Sequence, residues 1–296
     1  MANAYSTIAT EIADLNPTQI ATEIQLAAQE ELIWPRLIRW EPFNGPGLIW
    51  QMAQAPALTM YAVSESQSTG YTETSGTDAQ AFDMSNRQIT AGVKACDVLL
   101  TLSALTASVG DLQGVVRDSQ KKAYFDLVST DICGKYTEAT AAHEIGTDGT
   151  QLSYDTFLAG FELLAAQAAM GKKWWVIGPA QIGEVMKIDE FAKFLNYGRA
   201  VLDQDIPLEA GSMGVGPLGV EIFWDNNIVE SSGLHSIMGT SEALAYVEKM
   251  PFRVEVDATT LYVGNRSIRI GGTAFYGVGG LRDTSTTNKF LVDIIS

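Results

Sequence analysis

Catalysis in this chain would have to begin from its histidines, cysteines or clustered acids. His143 and His235 are the only histidines among 296 residues. Neither lies in a spacing such as His-Glu-x-x-His, and no Gly-x-Ser-x-Gly nucleophile elbow occurs. Cys96 and Cys133 are the only cysteines, too few for a disulfide framework and without metal-ligand spacing; they read as small core residues of a reducing compartment. Gly214, Gly216 and Gly219 spell Gly-x-Gly-x-x-Gly, but Pro217 interrupts it. The strand-like Val220–Trp224 follows where a helix should receive a pyrophosphate. Asp203 with Asp205, or Asp225 beside Asn226 and Asn227, could offer oxygens to a divalent ion; neither group brings the remaining ligands, and solvated acidic turns explain both. The expectation is therefore no catalytic, cofactor-binding or metal site.

Charge narrows the partners. Asp and Glu number 35 against 19 Lys and Arg, a formal net charge of -16, whereas phosphate binding needs clustered cations that displace counterions. Contact with DNA should be loose. Hydrophobic residues make up 46% and charged residues 18%, a balance that buries a large core rather than staying solvated. At ~100–200 residues per domain the length suits one large or two interleaved domains. No run of ~18 apolar residues and no basic, apolar leader is visible, so a soluble cytoplasmic product without a membrane segment is expected.

The elements that fill this length change character along the chain. Asn16 and Pro17 can open a helix bearing Ile20, Ile24, Ala28 and Leu32, with Pro35 ending it, in an N-terminal arm over 1–41. Residues 42–88 contain no lysine, and Ser, Thr, Gln and Gly dominate their middle. Strand-like flanks with Trp50, Met52, Met60 and Tyr61 make this stretch a long two-stranded excursion. Two arms of ~15 residues reach ~50 Å at ~3.3 Å per residue, beyond the ~19 Å radius of gyration of such a domain. A lone ribbon is marginal in water, so it should lie on a neighbouring subunit.

Ile89, Ala91, Val93 and Ala95 then alternate as a half-buried return strand. A long helix from Ser108 to Tyr136 carries Leu112, Val116, Ala123, Leu127 and Ile132 towards the core, in a segment over 89–150. An α/β alternation over 151–252 begins with Ser153 capping a helix and Trp174–Ile177 as a buried strand. It continues with Pro179 opening a second helix, a loop from Tyr197 to Gly219 and a helix from Ser241 to Glu248. A strand-rich tail over 253–296 closes the chain.

Taken in this order, the segments resemble the major capsid proteins of tailed double-stranded DNA bacteriophages, the Hong Kong ninety-seven fold. Local strings resemble the family as well: Trp174-Trp175-Val176-Ile177-Gly178-Pro179, Val215-Gly216-Pro217-Leu218-Gly219-Val220-Glu221-Ile222, and Thr273-Ala274-Phe275-Tyr276-Gly277. The resemblance implies an α+β fold with N-terminal arm, extended loop, spine helix, peripheral domain and axial domain. It also implies pentamers and hexamers of itself tiling an icosahedral shell around packaged DNA, assembled in the host cytoplasm. Implied partners are a portal, a separate scaffold protein, since fewer than ~50 residues precede the excursion, and decoration proteins. Inter-subunit contacts are expected from Trp50, Met52, Met60, Tyr61, Ile20, Ile24 and Trp34. The competing readings are an encapsulin-like nanocompartment shell, told apart by a docking groove for an enzyme tail, and an acidic cytoplasmic enzyme, told apart by a small particle size.

Overall fold

The computed structural model describes residues 32–54, 85–101, 112–139, 141–167, 171–191, 212–231, 233–257, 267–281 and 290–296. Three sheets organise them. The first has the order β1 (Arg39–Pro42), β10 (Leu244–Asp257), β11 (Ser267–Gly280) and β4 (Gly92–Thr101). The second runs β5 (Glu144–Gly146), β12 (Leu291–Ile295), β9 (His235–Thr240), β6 (Lys173–Ile177), β8 (Glu221–Trp224) and β7 (Ser212–Val215). The third is a two-stranded ribbon of β2 (Ile49–Gln54) and β3 (Ser85–Thr90). The helices are α1 (Trp34–Leu37), α2 (Leu112–Cys133), α3 (Tyr154–Ala166) and α4 (Pro179–Val185).

Both faces of the six-stranded sheet are covered, which explains its unbroken apolar strands. In β6, Trp174 and Val176 face the core shared with α1, α2 and the four-stranded sheet. The alternate Trp175 and Ile177 face a second core with Phe157 and Leu164 of α3 and Val185 of α4. Local signals place these helices: Ser153 Oγ accepts the Thr156 amide at 3.1 Å as an N-cap, and Pro179 opens α4. The chain's tail serves both sheets, since β11 lies in the four-stranded one and β12 in the six-stranded one. The boundary drawn at 252 falls inside β10.

The helix expected over Ser241–Glu248 is instead a turn followed by β10. Its Glu-Ala-Leu-Ala composition favours a helix, but Leu244, Ala245, Tyr246 and Val247 are all buried, Leu244 and Tyr246 in the shared core and Ala245 and Val247 beneath the ribbon. Only a strand presents successive side chains to opposite faces, and this packing overrides propensity. The loop expected from Tyr197 to Gly219 contains β7, and Pro35 stands in the first turn of α1 rather than ending a helix.

The return strand also departs from expectation. Ile89 and Ala91 are buried, yet Val93 is 66% exposed and Ala95 is exposed. Ala91 breaks the strand between β3 and β4, and the alternation resumes in the opposite phase, with Lys94, Cys96, Val98 and Leu100 turned inward. The described helix α2 buries Gln120, Val128, Ser129, Ile132 and Cys133, while Ala123 and Leu127 are exposed. Ile132 of the expected apolar pattern is buried, but the inner face is otherwise partly polar and aromatic. Gln120 Nε2 donates to the carbonyls of Cys96 and Ile270, each at 2.9 Å, and Tyr124 shares a 2.7 Å hydroxyl bond with Tyr246.

One buried polar cluster joins three parts of the chain. Trp34 Nε1 donates to Ser129 Oγ at 2.8 Å and to Asp225 Oδ2 at 3.0 Å, and Ser129 Oγ also donates to Asp225. Asp225 Oδ1 accepts from the amide and side chain of Asn227. The carboxylate is thereby hydrogen-bonded on both oxygens, as burial demands. Desolvation, then the Asp225 charge, pushes the nearby Cys133 thiol well above its usual range, leaving a protonated, inert core residue. Cys96, expected to be equally buried, is half-buried.

A second cluster couples charge to the C-terminal strand. His235 Nε2 lies 2.8 Å from the Ser231 carbonyl and so carries a proton, while Nδ1 lies 2.7 Å from Asp293 Oδ2. Tyr136 stacks on the ring at 4.0 Å. Burial raises the Asp293 carboxyl to about 6, against the opposing pull of His235 and with a contribution from Glu144. A carboxyl raised on folding stabilises the native state at low pH, and that stabilisation is lost as pH climbs from the usual 3.8 towards 6. Asp293→Asn, whose amide can donate to Nδ1, should remove this part of the slope in denaturant unfolding measured across pH 4–6. An unchanged slope in the variant would assign the titration elsewhere.

Candidate assembly surface

The ribbon packs one face on the body of the chain and leaves the other open. In antiparallel register Trp50 opposes Ile89 and Met52 opposes Arg87, while Ile49 opposes Thr90, Gln51 opposes Gln88 and Ala53 opposes Asn86. Period-two alternation puts these two sets on opposite faces. Trp50, Met52 and Ile89 pack on Ala245, Val247 and Leu281 of the subunit's own body. The other face is open: Ile49 is 46% exposed, beside exposed Gln51, Ala53, Asn86, Gln88 and Thr90, and Leu48, just before β2, is exposed as well. Gln51 accepts from Asn86 at 3.1 Å across the strands.

Close backbone approach seats the ribbon root on β11. A Cβ on Gly277 would come within 2.5 Å of the Thr90 carbonyl, and one on Gly279 within 3.0 Å of Ile89. Glycine at both positions lets β3 lie directly across the sheet. The root is further tied by Phe43 N–H to the Glu248 carbonyl at 2.7 Å and by Ala91 N–H to the Leu48 carbonyl at 2.8 Å.

The expected contact residues are therefore not one set. Trp34 is fully buried in the subunit's own core, since its indole is fixed by Ser129 and Asp225; it has no surface to offer a neighbour. Trp50 and Met52 are half-buried on the ribbon's inward face. Met60, Tyr61, Ile20 and Ile24 lie outside the described residues. Ile49, expected as a strand residue of the excursion but not as one of its contacts, is the large apolar side chain of the open face; alternation reveals that a strand has two faces but not which of them meets the body. Among the described residues no group of three or more His, Cys, Asp or Glu could hold a metal ion, and no helix is long and apolar enough to cross a membrane. The Gly214–Gly219 string runs from the end of β7 through a tight turn at Pro217–Gly219 into β8, with Gly214 and Gly219 at positive φ and Leu218 at φ 60°.

No family model matches the sequence, and no curated protein matches it. Solved structures do match the fold. The acid-stable capsid structure of Helicobacter pylori bacteriophage KHP30 aligns with TM-score 0.69 at 10% identity, over 100% of this chain and 99% of that one. The capsid of a native GTA particle gives 0.67 at 11% identity, over 99% of both chains. A chain of Mycobacterium phage Che8 gives 0.66 at 16% identity, over 93% of this chain and 95% of that one. From end to end, this chain has the fold of phage capsid proteins, the fold that the sequence resemblance implied.

Proposed function

We propose that this chain is a structural shell subunit: a major capsid protein that assembles into pentamers and hexamers of an icosahedral virion shell around packaged double-stranded DNA. The observation that carries the reading is a likeness to capsid proteins that spans both chains almost completely, ribbon included. The net charge of -16 suits a wall that encloses DNA without holding it, because affinity for phosphate would oppose release. Exposed Leu48 and Ile49 supply apolar surface for a neighbour; Trp50 and Met52 hold the ribbon to its own body. A portal, a separate scaffold and decoration proteins complete the assembly in the host cytoplasm.

The shell is held without covalent cross-links. No lysine lies between Pro42 and Asn86, so the excursion has no amine to attack a neighbour's amide. Lys94, beyond it, is paired with Asp131 at 3.0 Å. Boiling mature particles in detergent without reductant should release one band at the monomer mass. A ladder of pentamers and hexamers would overturn this part of the reading. Purified protein examined by light scattering after size exclusion tests the reading as a whole.

A further inference from the structure

The ribbon leaves the body through the turn Phe43-Asn44-Gly45-Pro46-Gly47, and Gly47 adopts φ +89° there with open space where a side chain would stand. Such a turn is intrinsically free to pivot. It is met from the opposite side by Lys249. In β10, Glu248 pairs with Tyr276 and Met250 with the adjacent Phe275, so Lys249 is the extra residue of a β-bulge, a device that re-aims a side chain. Its ammonium donates to the Gly45 carbonyl at 3.0 Å and to the Gly47 carbonyl. It also stands 4.6 Å from the centroid of the Phe43 ring. A single cation thus grips three points of one five-residue turn through charge-assisted bonds and a ring face.

We propose that Lys249 is a latch: it locks the Phe43–Gly47 hinge and so fixes the direction in which the ribbon leaves the subunit. The strand pairing of β2 with β3 fixes the two arms to each other, the packing of Trp50, Met52 and Ile89 seats the pair on the body, and the latch fixes the turn that leads into the ribbon. The consequence for shells rests on reading the ribbon as an assembly arm; the latch itself does not.

Two measurements on the full chain decide it. In the wild type, amine labelling of Lys249 should be about tenfold or more slower than that of exposed Lys187, as expected for a cation engaged by charge-assisted bonds. Equal rates would overturn the latch. In Lys249→Met, which keeps the stem but removes the charge, hydrogen exchange in a peptide covering Phe43–Leu48 should quicken by about tenfold or more, with peptides of β9 and β12 unchanged. Lys249→Arg, which retains charge and donors, should restore most of the protection. Unchanged exchange at Phe43–Leu48 in Lys249→Met would overturn the latch and show that strand pairing and the packing of Trp50, Met52 and Ile89 set the ribbon. If the methionine variant does not fold, the wild-type labelling ratio still decides. Absence of shells from wild-type protein would sink the functional reading while leaving both latch measurements intact.

Discussion

Replacing Trp34 by alanine is expected to abolish cooperative folding. Trp34 is fully buried, packs edge-on against Trp174 at 5.8 Å and donates to both Ser129 and Asp225. Loss of a buried tryptophan costs about 3–5 kcal/mol through the cavity alone, and the Asp225 carboxylate loses a donor in a site that water reaches poorly. That sum approaches the whole stability of an ordinary domain. Trp34→Phe keeps most of the volume and removes only the donor, so it should fold with a loss of about 1–3 kcal/mol. Denaturant unfolding of the pair gives the comparison. A soluble, cooperatively unfolding Trp34→Ala protein would mean that α1 is not docked between α2 and the six-stranded sheet.

The second large effect separates backbone from side chain at Leu127. Leu127→Pro removes a helical hydrogen bond and clashes with the preceding turn of α2 at a cost of about 3 kcal/mol or more, whereas Leu127→Ala on this 37% exposed side chain should stay within about 1 kcal/mol. Thermal unfolding distinguishes the two. Similar losses in both variants would place Leu127 in the core, and tolerance of proline would contradict a continuous helix over Leu112–Cys133.

What the sequence disclosed depended on how local the physics was. Ser153, Pro179 and Trp174–Ile177 announce a cap, a helix start and a strand buried on both faces through their own types and spacing. Pattern failed where partners distant in sequence decide. Leu244–Val247 form a strand because the shared core and the ribbon cover opposite sides of them. Gln120 and Ser129 line the inner face of α2 because backbone carbonyls and Asp225 wait there. Resemblance of element order to phage capsid proteins conveyed the fold from end to end, but it could not distribute the residues of the excursion between inward and outward faces. Trp34 illustrates the limit: it is expected among the inter-subunit contacts, whereas its hydrogen-bond partners lie 95 and 191 residues away in the same chain.

Reading the ribbon as an assembly arm is a claim about how a subunit presents itself to its neighbours, and the size of the particle formed is the quantity that tests it. Negative-stain microscopy of the purified full chain, after size exclusion, should show closed shells or pentameric and hexameric rings. A strictly monomeric or dimeric, folded species at every concentration tried would contradict the capsid reading.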